Sequence, residues 1–319
     1  MSKSCVLNWN RHNIYMSEVF QSTNTIMMME PARFHSNPQT METNTYQAPD
    51  PEDITPVHHH AVEEYRRLRD RLVEEGVIVV STIGQPESPD DIFCNNWVAT
   101  FAEADGSRSM TLFPMLAENR RIERRADLLN FLGRLYDLKL DLSEEEQHGR
   151  FLESTGSLWC DRVNKVAYIA LSDRTNEALA QRFCETYGFR TVMFHTRNHA
   201  DKPVYHTDVM MYIGSGYAGL CLDCILPADR ARVRDQLSKT HEIIEITMEQ
   251  LRAFCGNSLE LRDRHGQTLL AMSSAAHAAY TTEQKDTLLR YVDRIIHTDI
   301  TTIEKYGGGS VRCMLLELH

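Results

Sequence analysis

The strongest constraint on this chain is an order of elements that keeps returning, a helical stretch leading directly into a short apolar strand. Val62, Tyr65, Leu68 and Leu72 fall at helical spacing within His58 to Glu75, and after Gly76 the sequence passes into a strand over Val77 to Val80. The same order is expected for 121–136 followed by 138–140, 174–187 by 190–194, 228–238 by 242–246, and 282–297 by 301–303. Paired strand candidates lie between these helices: 95–101 with 109–113, 157–161 with 166–170, 206–213 with 217–223, and 258–262 with 268–273. Helix starts recur at intervals of about 50 to 60 residues, as in an internal repeat of about five strand-strand-helix-strand modules. A closed fivefold α/β arrangement fits.

Residues 1–21 show neither helical nor strand periodicity and are expected to form a disordered leader ahead of a strand over Thr25 to Glu30. The remainder, 22–319, is expected to be one domain. Its stretch from His35 to Pro56 is rich in Asn, Thr, Pro and Asp and reads as a long loop of the kind that borders sites.

Bulk properties narrow the function classes. Hydrophobic residues are 42% and charged residues 25% of 319, enough for a sizeable core. The formal charge of -11 repels phosphate backbones and anionic lipid, so nucleic acid and membrane are poor partners. No apolar run approaches the roughly 20 residues of a membrane span, and the first twenty residues lack a signal-peptide core, so a cytoplasmic address is expected. The eight cysteines lack the dense framework of small secreted domains and read as reduced thiols. Cys221-Leu-Asp-Cys224 has no second ligand pair at zinc spacing and reads as small buried residues on a strand.

Four segments combine reactive side chains with turn chemistry. Tyr306-Gly-Gly-Gly-Ser-Val-Arg-Cys-Met314 places the Cys313 thiol after three glycines that let backbone approach a ligand. Arg312 beside it would favour thiolate, the nucleophilic form; an incidental cysteine in a flexible tail is the plain alternative. Val204-Tyr-His-Thr-Asp208 opens an apolar strand in which His206 and Asp208, two apart, would share a face. Phe151-Leu-Glu-Ser-Thr-Gly-Ser157 sets Glu153 where it could orient an imidazole, and Pro89-Asp-Asp-Ile-Phe-Cys-Asn-Asn-Trp97 offers the amides of Asn95 and Asn96. Solvated surface residues and loop capping are the ordinary readings of these last three.

Taken in order, Phe-Cys-Asn-Asn-Trp, Leu-Glu-x-Thr-Gly-Ser, Tyr-His-Thr-Asp and Gly-Gly-Gly-Ser-x-Arg-Cys-Met resemble the arginine-deiminase-like (pentein) superfamily. The likeness runs from about Thr25 to His319 and is closest to the citrulline-utilisation hydrolase branch, which Pro31-Ala-Arg-Phe34 and Cys255-Gly-Asn-Ser-Leu-Glu-Leu261 also fit. The resemblance implies a five-bladed α/β propeller with a central site. It also implies Cys313 as nucleophile, His206 as general acid/base and Glu153 as its carboxylate partner. Asp208 would grip the substrate, with Asn96 where arginine deiminases carry a second Asp, and no metal or cofactor is called for.

Such a set suits hydrolysis of a C–N bond in a guanidino or ureido compound. The planar carbon is a poor electrophile, so a thiolate attacks while polar groups hold the flanking nitrogens and the imidazole protonates the departing ammonia or amine. With Asn96 in place of Asp, only Asp208 among the mapped grips is anionic, which tilts the expectation toward a neutral ureido group such as that of citrulline. The glycine stretch also lacks the Arg that arginine deiminases use to hold the substrate carboxylate. An arginine deiminase, an amidinotransferase and a non-catalytic binding protein of the same fold are the alternatives, and a homodimer is left open.

Overall fold

The computed structural model describes residues 19–51 and 53–319. Among these, the strands form five three-stranded sheets. In the first, β1 (Thr25–Glu30) pairs in parallel with β2 (Ile78–Ile83). The second holds β3 (Val98–Ala102), β4 (Arg108–Leu112) and β5 (Asp137–Asp141). β6 (Leu158–Asp161), β7 (Val166–Ala170) and β8 (Arg190–Phe194) make the third. β9 (Met211–Ile213), β10 (Tyr217–Leu220) and β11 (Glu242–Glu245) make the fourth, and β12 (Leu259–Arg262), β13 (Thr268–Ser273) and β14 (Arg294–Thr298) the fifth. The last strand, β15 (Leu316–Glu317), returns to the first sheet and pairs antiparallel with β1.

Every sheet therefore has one plan: a central strand with an antiparallel neighbour on one side and a parallel neighbour on the other. A parallel pair needs a crossover, which explains the helix between the central and third strands of each sheet. In the first sheet this is Thr55–Glu74, started by Pro56 and burying Val57, Ala61, Tyr65, Leu68 and Leu72 as one stripe. Gly76, at φ 85°, turns the chain into β2. The helix Glu177–Tyr187 is closed by the Asn176 side chain, which accepts from the Leu179 amide, and by Gly188 in the left-handed region.

Some boundaries differ from the sequence expectation, for identifiable reasons. The strand expected over 206–213 opens as a one-turn helix, Thr207–Met210, before β9. This stretch is buried on every side, so its apolar pattern carries no period that separates a turn of helix from a strand. The strand expected at 301–303 is instead the start of a helix, Thr301–Gly307, and the expected helix 282–297 ends at Leu288, leaving Arg294–Thr298 as the strand. Two distant carboxylate contacts set that helix start: Glu64 accepts from the amides of Thr302 and Ile303 at 2.9 and 3.0 Å. The helix expected over 121–136 is a 3₁₀ stretch, Glu118–Glu123, followed by Ala126–Leu132.

Of the leader expected over 1–21, positions 1–18 lie outside the described residues. Gln21 belongs to the folded body: its buried amide donates to the carbonyls of Cys160 at 3.1 Å and Ile213 at 3.4 Å. Cys221 and Cys224 are buried and unpaired, the latter donating to the Cys221 carbonyl at 3.1 Å. Among the described residues no helix is long and apolar enough to cross a membrane.

Candidate active site

The sheet plan places the chemistry. The residues singled out in the sequence come from one topological position, the segment just before the antiparallel outer strand of a sheet. Asn95 and Asn96 lie in the 3₁₀ turn Cys94–Asn96 ahead of β3, and Glu153 caps the turn Ser154–Ser157 ahead of β6. His206 caps Thr207–Met210, which holds Asp208, ahead of β9, and Cys313 lies in the 3₁₀ turn Val311–Met314 ahead of β15. The fifth equivalent position, before β12, holds Asn257, to which the sequence motif had given no role.

These segments converge. Cys313 and His206 line one small cavity with Asn96, Asp90, Arg120 and Arg174. His206 Nε2 is 2.7 Å from Glu153 Oε2, and both residues are buried. The other Glu153 oxygen accepts from the Leu116 amide at 3.0 Å, and Arg174 lies 3.5 Å from Oε2. Burial alone would raise the Glu153 carboxyl, but Arg174 and His206 together hold it well below the usual carboxylate range. An ionised carboxylate only accepts, so His206 Nε2 carries the hydrogen. Gly156 is what lets the ring sit there: a Cβ at that position would lie 2.7 Å from His206 Nδ1 and 2.5 Å from Asn96 Nδ2.

The thiol is held by two partners from neighbouring sheets. Asn257 Nδ2 donates to Cys313 Sγ at 3.2 Å, and Sγ donates to Asp208 Oδ2 at 3.4 Å. Asn257 also donates to the Asp208 carbonyl at 2.8 Å, and Asn95 Nδ2 donates to Asp208 Oδ2 at 3.1 Å. Burial pushes the thiol well above its usual range and the Asp208 charge pushes it further, against the Asn257 hydrogen bond and Arg312. Burial likewise raises the Asp208 carboxyl, against His206 and Arg312. The resting side chain is therefore a thiol, not the thiolate that Arg312 was expected to favour.

Arg312 is the predicted site residue that the structure turns away. Its guanidinium is buried, donating to the Leu315 carbonyl and to Glu317 at 2.8 Å, and it lies over the Trp159 ring. A guanidinium committed to a buried carboxylate on β15 is placed to fix the strand that follows Cys313, and it is not among the residues lining the cavity.

Asn96 is present but cannot play the part of an Asp. Arg120 Nη1 donates to Asn96 Oδ1 at 2.9 Å, and since a guanidinium only donates, the amide orientation is fixed. Its buried Nδ2 has no partner, so what Asn96 offers is a donor. Part of the negative charge comes from a residue that sequence reasoning did not single out. Asp90 lines the cavity, and its buried Oδ1 has no partner while Oδ2 accepts from Asn37 and Thr40. Asp208 Oδ1 is likewise unpartnered. Arg120 and Arg174 also escaped notice; Arg120 is clamped by Glu123 at 2.7 Å and by the Phe93 carbonyl, and Arg174 by Thr43 and Thr40. Asp90 lies within the quoted Pro89-Asp-Asp segment, and burial does not set it apart, since Asp91 is buried as well.

A wider cavity adjoins the small one, sharing Arg174 and Tyr205 with it. Among the described residues no group of three or more His, Cys, Asp or Glu is arranged to hold a metal ion.

Residues 30–319 match the family model for N,N dimethylarginine dimethylhydrolase, eukaryotic. No curated protein matches the chain. Among solved structures, the N-terminal domain of ArgZ, an arginine dihydrolase from the ornithine-ammonia cycle in cyanobacteria, superposes with a TM-score of 0.72 at 16% identity. That match covers 92% of this chain and 97% of the domain, which was crystallised as a cysteine-to-serine mutant bound to substrate; the same domain has also been seen covalently bound to a reaction intermediate. Against the longer ArgZ chain the TM-score is 0.70 at 16% identity, and the present chain spans 40% of that length. A dimethylarginine dimethylaminohydrolase in adduct with 4-chloro-2-hydroxymethylpyridine gives 0.63 at 19% identity, over 92% and 99% of the two chains.

Proposed function

Since this chain belongs to the eukaryotic N,N-dimethylarginine dimethylhydrolase family, we propose that it is a cysteine hydrolase cleaving a C–N bond of a guanidino group in arginine or an N-methylated arginine. The observation that carries this is the meeting of Cys313 and His206 on one small cavity that is also lined by Asp90, whose buried Oδ1 has no partner. Two buried carboxylates with unsatisfied oxygens, Asp90 and Asp208, suit a cationic guanidinium, which is costly to bury without such partners. That weighs against the neutral group to which Asn96 alone pointed. The five like sheets, the first completed by both ends of the chain, support a closed five-bladed α/β propeller with this cavity at its centre.

The chemistry follows from the resting state. A guanidinium entering beside Cys313 and Asp208 adds positive charge where the carboxylate now disfavours the thiolate, so binding itself promotes transfer of the thiol proton to His206. The sulfur then bonds to the guanidinium carbon. One C–N bond breaks as His206 delivers a proton to the leaving ammonia or amine, with Glu153 steadying the imidazolium. Water, giving its proton to the same imidazole, attacks the thiouronium carbon, frees Cys313 and leaves a ureido product. Hydrolysis of a ureido substrate is the second reading, favoured by the unpartnered Asn96 Nδ2, a donor to which a ureido oxygen could bind.

A screen of ammonia and amine release over arginine, its methylated forms, citrulline, agmatine and carbamoyl-putrescine tests the substrate class. Turnover is expected for arginine or a methylated arginine. Turnover confined to citrulline or carbamoyl-putrescine would select the ureido reading, and none on any of them would remove the assignment.

A further inference from the structure

The antiparallel outer strands have two ends, and the candidate active site uses only one. Asn96, Glu153, Asp208, Asn257 and Cys313 precede these strands, whereas a second cavity is lined by residues at or after their far ends: Ala102 after Phe101 on β3, Arg162 after β6, Arg262 ending β12, and His319 after β15. At roughly 3.3 Å per residue, strands of this length put the two cavities on opposite ends of the sheets.

The far cavity has an unusual lining for a chain of net charge -11. Arg108, Arg162, Lys165 and Arg262 border it, and among the described residues none that lines it has an acidic side chain. Two of these cations are held by rings and carbonyls. The Arg162 guanidinium lies 4.6 Å from the Phe101 centroid and donates to the Thr100 carbonyl at 3.2 Å, and Lys165 Nζ lies 4.8 Å from the Phe189 centroid. Such contacts position a cation without neutralising it. The carboxylates nearby are engaged elsewhere: Glu317, 4.0 Å from Arg162, is bonded to Arg312 at 2.8 Å, and Glu103 is bonded to Lys139 at 2.7 Å. Burial lowers the Lys165 ammonium, against Glu103, with Arg162 and Lys139 adding to the effect. His319 stays neutral, pushed down to about 4 by burial and by Arg162.

We propose that this cavity is a second ligand site, taking a small organic anion that carries a phosphate or carboxylate on a flat apolar body. The anionic group would sit among Arg108, Arg162 and Lys165, and the body against Phe101 and Phe189, both of which line the cavity. Its position across the molecule from Cys313 makes it a site for binding without chemistry.

Isothermal titration calorimetry with phenyl phosphate as probe tests this on the full chain, at low ionic strength and again at high salt. A saturable 1:1 isotherm is expected that weakens steeply with salt and by tenfold or more in Arg108→Glu and in Lys165→Gln. Alkylation of Cys313 should leave that binding intact, and both variants should keep the wild-type hydrolysis rate. Failure of the wild-type chain to bind saturably, equal binding by both variants, or loss of binding on alkylation of Cys313 would overturn the proposal.

Discussion

Asp208 shows how one side chain can carry two opposed effects. Its carboxylate accepts from the Cys313 thiol at 3.4 Å and so helps hold the sulfur in place, yet its charge disfavours the thiolate that must attack. The sign of a substitution follows. With the Cys313 thiol raised by burial and by Asp208, the free protein gains thiolate only as pH climbs toward that raised value. Removing the negative charge in Asp208→Asn lowers the thiol, so the pH profile of Cys313 alkylation in the unliganded protein should move to lower pH. The same variant should lose turnover, because an anchor for the cationic group is gone. A profile that stays in place or moves to higher pH would contradict the electrostatic account. Cys313, His206 and Glu153 were legible in the sequence because each sits in a short motif with its own turn chemistry. Asn257 and Asp90 were not, since an amide and a carboxylate acquire their meaning only from what faces them after folding, the thiol for one and an otherwise closed cavity for the other.

At the scale of elements, the short turns before the outer strands are the parts that bring the site together, and Gly156 is one of the tight points in them. Its missing side chain leaves room for the His206 ring and the Asn96 amide from two other sheets. Gly156→Ala should therefore cost about 1–3 kcal/mol of stability through overpacking. Displacing the imidazole by a fraction of an ångström should also lower kcat by roughly a hundredfold. Thermal unfolding and steady-state kinetics check the two effects separately; wild-type kcat in this variant would show that the ring is not held as described. The helix-then-strand modules of the first and third sheets were readable because their crossover helices, Thr55–Glu74 and Glu177–Tyr187, keep an apolar stripe and hand over to the strand at Gly76 and Gly188, whereas Pro227–Leu237 buries only Val233 and Leu237. The site-bearing turns were misread, Thr207–Met210 as strand above all, because residues buried on every side have no polar face to mark a period.

On the scale of the whole molecule, the chain closes on itself beside the nucleophile. β15 pairs with β1, Thr23 Oγ1 donates to the Leu318 carbonyl at 2.7 Å, and Arg312 next to Cys313 holds Glu317 of that strand. Breaking this buried pair in Arg312→Ala leaves Glu317 without its main partner and should cost about 3–5 kcal/mol. Chemical denaturation would read that loss, and a variant as stable as the wild type would return Arg312 to consideration as a substrate ligand. The closure also holds Cys313, just before β15, within the folded body rather than in a loose tail. The account stands or falls on a covalent bond to that sulfur. Intact-mass and peptide measurements on the wild-type chain, quenched soon after mixing with arginine or dimethylarginine, should find an added amidino group, substituted or not, on Cys313 alone. An unmodified Cys313 in a protein that still turns over substrate, or a label on another of the cysteines, would contradict it.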